Sequence, residues 1–93
     1  VWNNTSDLVM FEARKGNGQR IAFTDAVGPG GITIPVGGDP KKFKIKAYVW
    51  SVQKGSWRSG SYWIPFTNRG NTLYLEYHLT GNGSARTISQ IAD

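Results

Sequence analysis

The feature that most constrains this chain is an alternation with a period of two. In 43–50, Phe43, Ile45, Ala47 and Val49 are apolar, and Lys44, Lys46, Tyr48 and Trp50 stand between or beyond them. A strand sends successive side chains to opposite faces, so the first set faces a core and the second faces away from it. Segment 72–79 repeats the pattern. Leu73, Leu75, Tyr77 and Leu79 point one way; Thr72, Tyr74, Glu76 and His78 point the other. No window carries helical periodicity, and twelve glycines argue further against long helices.

Weaker strand signals fill the rest of the chain. Segments 8–15 and 19–23 read as strands joined by Lys15-Gly16-Asn17-Gly18, where Asn-Gly tolerates the positive φ of a tight primed turn. Segment 32–36 lies between two Gly-rich stretches. Segment 61–66 contains Pro65, which cannot donate to a ladder, so this strand is expected at an edge. Segment 85–92 follows a second turn signal at Asn82-Gly83. Seven short strands with turns about every 8–12 residues predict one all-β domain over 1–93. The expected fold is a small β-sandwich, immunoglobulin-like or jelly-roll-like, with mainly antiparallel strands. Its expected core is Val9, Phe11, Ile21, Phe23, Ile32, Ile34, Phe43, Ile45, Ala47, Val49, Ile64, Leu73, Leu75, Tyr77, Leu79 and Ile91.

At 93 residues, folding buries roughly 60–65% of the surface of the unfolded chain, enough for one thin core. There is no cysteine, so neither a disulfide nor a thiolate metal site is available. No apolar run approaches the ~20 residues of a membrane helix. The first residue is Val1 rather than Met, and on that ground a secreted protein is expected. Three N-glycosylation patterns begin at Asn3, Asn4 and Asn82, in a motif too common to decide anything.

The formal net charge is +5. Between Asp39 and Glu76 lie seven basic residues and no acid; the remainder holds four basic and six acidic residues. One segment therefore carries the whole positive excess, which suggests an anionic partner or simply a solvated surface.

Catalysis is poorly supplied, and the expectation is a protein that is not an enzyme. His78 is the single histidine and would have to be the base of any serine triad, with Glu76 on the same face; no serine is marked as an activated nucleophile. The few acids are scattered, so no metal site and no cofactor is expected. Segments 16–21 and 28–33 lack the third glycine of a dinucleotide fingerprint and open no helix, so both read as turns.

The outward side chains are more informative. Tyr48, Trp50, Trp63 and Tyr74 are expected on one face, with Trp57 in the polar loop 53–60 and Lys44, Lys46, Lys54 and Arg58 as a cationic rim. Flat rings with a basic rim suit sugars, a lipid interface or unpaired bases. Aromatics paired across strands also stabilise a sheet by ~0.2–1 kcal/mol per pair with no ligand at all. The first expectation is a secreted binding module for a glycan or an anionic membrane surface: an adhesin, a carbohydrate-binding domain, or a toxin or antimicrobial protein. Two alternatives stand beside it. One is a structural subunit of a filament, capsid or other assembly, a homo-oligomer that self-associates through edge strands in 1–15 or 85–93. The other is a small barrel that binds single-stranded nucleic acid.

Overall fold

The computed structural model describes residues 1–37, 41–81 and 85–92. Among them the chain is all β, with two sheets packed face to face. In chain order the strands are β1 (Trp2–Asn3), β2 (Val9–Lys15), β3 (Arg20–Phe23), β4 (Gly30–Gly31), β5 (Lys42–Ser51), β6 (Ser56–Ser59), β7 (Ile64–Thr67), β8 (Tyr74–Leu79) and β9 (Arg86–Ala92). One sheet runs β4-β1-β8-β9; the other runs β3-β2-β5, with β6 and β7 sharing the far edge of β5. All pairs are antiparallel except β1 with β8. The expected β-sandwich is therefore observed, with shorter and more numerous strands. No helix long and apolar enough to cross a membrane occurs among the described residues.

The β2–β3 hairpin forms where expected, but not through a primed turn. Gly18 alone has positive φ, at 93°, and the Lys15 and Gln19 backbones close a loop of three residues. A three-residue loop uses one left-handed position after an ordinary turn, so Asn17 is spared that conformation. The Asn82-Gly83 turn signal lies outside the described residues. Segment 32–36 is not a strand; Ile32 exchanges backbone bonds with Val1 at 2.9 and 2.8 Å, and Ile32, Ile34 and Val36 pack on the core from an irregular stretch.

Segments 53–60 and 61–66 depart further from the sequence pattern. Polar 53–60 is not a loop but a turn, 52–55, followed by β6, which pairs Trp57 with Trp50. The strand expected at 61–66 begins only at Ile64. Between β6 and β7 the edge breaks opposite Ala47. Gly60 N–H still donates to Ala47 O at 2.8 Å, but the Ala47 N–H turns to the Ser61 hydroxyl at 3.0 Å. That hydroxyl in turn donates to Tyr62 O at 2.9 Å. Gly60 is needed here because a Cβ would stand 3.1 Å from the Tyr77 hydroxyl and 3.3 Å from Ala47 O.

The core lies where the alternation put it. Phe43, Ile45 and Ala47 are buried with Val9, Phe11, Ala13, Phe66, Leu75, Tyr77 and Ile88. Phe11 and Tyr77 join the two sheets edge to face at 5.9 Å. Three expected core residues are exposed instead, each for a local reason. A bulge between β2 and β3 steps the register past Ile21, so Phe23 turns outward. A second irregularity skips Ile91 on β9, and Ile88 takes the inward place. Leu79 ends β8, and its side chain is exposed there. Asn3 is buried, with its side chain bonded to Thr5 and to the Asp7 carbonyl, so the first glycosylation pattern has no accessible acceptor.

Candidate functional site

The register of β2, β3, β5, β6 and β7 fixes what the outer face of the five-stranded sheet displays. Four rows cross it. The first holds Leu8, Trp50 and Trp57, with Trp50 N–H donating to Leu8 O at 2.9 Å. The second holds Met10, Tyr48 and Ser59. The third holds Phe23, Glu12 and Lys46, and the fourth Arg20, Arg14, Lys44 and Pro65. The face is thus apolar at the β5–β6 turn and cationic at the opposite end. Lys44 and Trp50 lie six steps apart along β5, about 20 Å at the usual strand rise.

Glu12 organises the cationic end. It is 0% exposed and is the only carboxylate in the four rows. It accepts hydrogen bonds from Arg14 Nε at 2.8 Å, Arg20 Nε at 2.7 Å and the Tyr48 hydroxyl at 2.7 Å. Burial pushes its carboxyl up, but the bonds from Arg14, Tyr48 and Arg20 outweigh burial and hold it below the ordinary value. Tyr48 responds in the opposite sense: burial first, then its bond to Glu12, raises its phenol. Arg14 is held more firmly protonated by the same carboxylate.

Trp63 covers these charges. It reaches the face from the break between β6 and β7, not from a strand. Arg14 Cζ lies 4.9 Å from its ring centroid, Lys44 Nζ 5.4 Å and Lys46 Nζ 5.9 Å. Each such contact is worth about 0.5–1 kcal/mol where exposed, so the indole gathers three like charges that otherwise repel. Four cations against one buried carboxylate leave the two lower rows with three uncompensated positive charges.

The face therefore brings together Lys44, Lys46, Tyr48, Trp50, Trp57 and Trp63, but the rings are not equivalent. Tyr48 is stacked on Phe23 at 5.7 Å and contacted by Lys46 Nζ at 5.3 Å, so it braces the face. Trp50 and Trp57 meet edge to face at 5.4 Å, and Trp50 is 36% exposed. Lys54 is exposed in the 52–55 turn. Two expected members sit elsewhere. Tyr74 belongs to β8 in the other sheet, because the two alternating strands never pair. Arg58 pairs with Val49, an inward position, so it leaves the hairpin on the side opposite Trp57. Arg14, Arg20, Glu12 and Phe23 were not expected in the site. The signal for Arg14 and Glu12 was present: with Val9 and Phe11 inward, Glu12 and Arg14 must face out. Arg20 and Phe23 depend on a bulge that no pattern in the sequence marks.

Two other features lie away from that face. Between the sheets opens an apolar cleft of about 730 Å³, with Trp2 and Tyr74 at its margin and Ile32, Ile34, Phe43 and Leu73 along its wall. On the outside of the four-stranded sheet, His78 bonds through Nε2 to the Ser89 hydroxyl at 2.9 Å and through Nδ1 to Leu79 O at 2.7 Å. A carbonyl only accepts, so Nδ1 carries a proton. Compared with known proteins, the chain matches no family model, no curated protein and no solved structure.

Proposed function

We propose that this chain is a non-catalytic, secreted binding module that attaches to an anionic, glycan-rich surface through the outer face of its five-stranded sheet. One observation carries the reading: Arg14, Lys44 and Lys46 converge on a single indole while the only carboxylate among them is buried and already bonded. Concentrating like charge costs free energy unless something offsets it, and an incoming anion does so. The rings beside the cations offer flat surface for sugar or acyl groups. Salt matters to such contacts, because exposed charges are screened within about 8 Å at physiological ionic strength.

The test is binding to anionic vesicles and to a sulfated polysaccharide at low and at physiological salt. Attachment to at least one of them that weakens with salt supports the reading. No attachment to either at low salt overturns it.

A second reading, an assembly subunit, draws on β9, which among the described residues pairs only with β8 and carries an exposed Ile91. Segment 1–15 does not favour it, since β1 and β2 are interior strands of their sheets. Light scattering at high concentration separates the two readings: a monomer removes the second.

A further inference from the structure

We infer that the turn between β5 and β6 inserts into the interface of an anionic lipid bilayer. This rests on the reading above and narrows it to one partner, a membrane carrying acidic headgroups.

The argument starts from where exposed apolar side chains collect. Val52, in the 52–55 turn, is 87% exposed. Beside it stand Leu8 and Trp50, both exposed, and Trp57, half-buried against Trp50. A lone exposed hydrophobe means little. Here they share the first row of the face and the turn that caps it, so they form one projecting edge. Trp is the residue type that settles at the boundary between headgroups and hydrocarbon.

The turn is built to hold that edge out. Gly55 adopts φ 62°, its N–H donates to Ser51 O at 2.8 Å, and Lys54 N–H donates to the Ser51 hydroxyl at 3.1 Å. These bonds close the 52–55 turn and leave Val52 exposed within it.

Charge complementarity selects the partner. Lys54 lies in the turn and Arg58 leaves the hairpin on the face opposite Trp57, so cations flank the apolar edge on both sides. No acid occurs between Asp39 and Glu76. Further along β5 come Lys46 and Lys44. A basic residue close to an acidic bilayer adds about 1 kcal/mol of attraction. An apolar tip with Lys54 and Arg58 close by suits lipid, whereas a free polyanion offers nothing for Val52 to enter.

The experiment uses vesicles of phosphatidylcholine alone, the same with 30% phosphatidylserine, and the latter with brominated acyl chains. The expected result has three parts. The protein partitions onto the acidic vesicles and not the neutral ones, and bromine quenches its tryptophan emission. Trp50→Phe with Trp57→Phe removes that quenching although Trp2 and Trp63 remain. Val52→Asp lowers partitioning at least about tenfold, whereas Ile91→Asp, at an exposed apolar site on the four-stranded sheet, leaves it unchanged. Partitioning without bromine quenching and without a Val52→Asp effect overturns insertion and leaves surface attachment standing. Binding of the sulfated polysaccharide but of no vesicle overturns it as well. Binding to nothing overturns the proposed function together with this inference.

Discussion

The outer faces of the two sheets are built from strands with the same alternation, and they end in opposite conditions. On the five-stranded sheet the outward residues of β5 are Lys44, Lys46, Tyr48 and Trp50, and the neighbouring strand adds Arg14 and Glu12. Cations accumulate there, held around one carboxylate and one indole. On the four-stranded sheet the outward residues of β8 are Tyr74, Glu76 and His78, beside Thr87 and Ser89 of β9. There the imidazole is bonded at both nitrogens, and Glu76 is intermediate in exposure. Period-two patterning says which side chains leave the core. It does not say whether the residues that leave will satisfy one another. That depends on the strand laid alongside.

The contrast can be broken by mutation. Glu12→Ala should have the largest effect on stability, about 2–3 kcal/mol in chemical denaturation, because it strips three hydrogen bonds from a buried carboxylate site. The loss stays below that of a fully buried ion pair, since Arg14 and Arg20 are open enough to be hydrated.

Acid should produce the same loss in the unmutated protein. Glu12 is held below its ordinary value in the folded state. Its stabilisation is therefore complete above that ordinary value and disappears as pH falls through the lowered one. Thermal melts of the protein and of Glu12→Gln should differ at neutral pH and converge at strongly acid pH. A gap that persists there would mean that the hydrogen-bonding pattern, not charge, makes Glu12 matter.

Gly60→Ala should cost about 1–2 kcal/mol, since the new methyl presses on Ala47 O and the Tyr77 hydroxyl. It also disturbs the break that delivers Trp63, so binding should weaken with stability. The smallest effect belongs to the four-stranded sheet. His78→Ala removes one side-chain pair and should change stability by no more than about 1 kcal/mol, leaving surface binding unaltered.

Much of this was legible in the chain. Strand parity placed Phe43, Ile45 and Ala47 inside and Lys44, Lys46 and Trp50 outside, because a half-buried strand admits only one register. The hairpin at Gly16–Gly18 was legible from its Asn-Gly signal, but its turn type was not, since Gly18 alone takes the left-handed position. What stayed hidden depends on long-range pairing. Tyr74 was placed beside Trp50 because its strand alternates too, and alternation carries no information on which sheet a strand joins. Trp57 looked like a loop residue because Ser56, Arg58 and Ser59 are polar on both faces of β6, as an edge hairpin permits. Phe23 and Ile91 were misplaced by bulges, each of which reverses parity at one residue.

The central claim is that attachment belongs to the face of the five-stranded sheet and not to the overall charge of the protein. Two double variants separate these. Lys44→Gln with Lys46→Gln, and Asn71→Asp with Gln90→Glu beside the four-stranded sheet, each lower the formal net charge from +5 to +3. Partitioning onto acidic vesicles at low salt is measured for both. The first pair should weaken it several-fold, less than the about 1 kcal/mol per residue of a lysine at the headgroups because Lys44 lies about 20 Å from Trp50, and the second within about twofold. Equal weakening by both pairs, or none by either, would contradict the account.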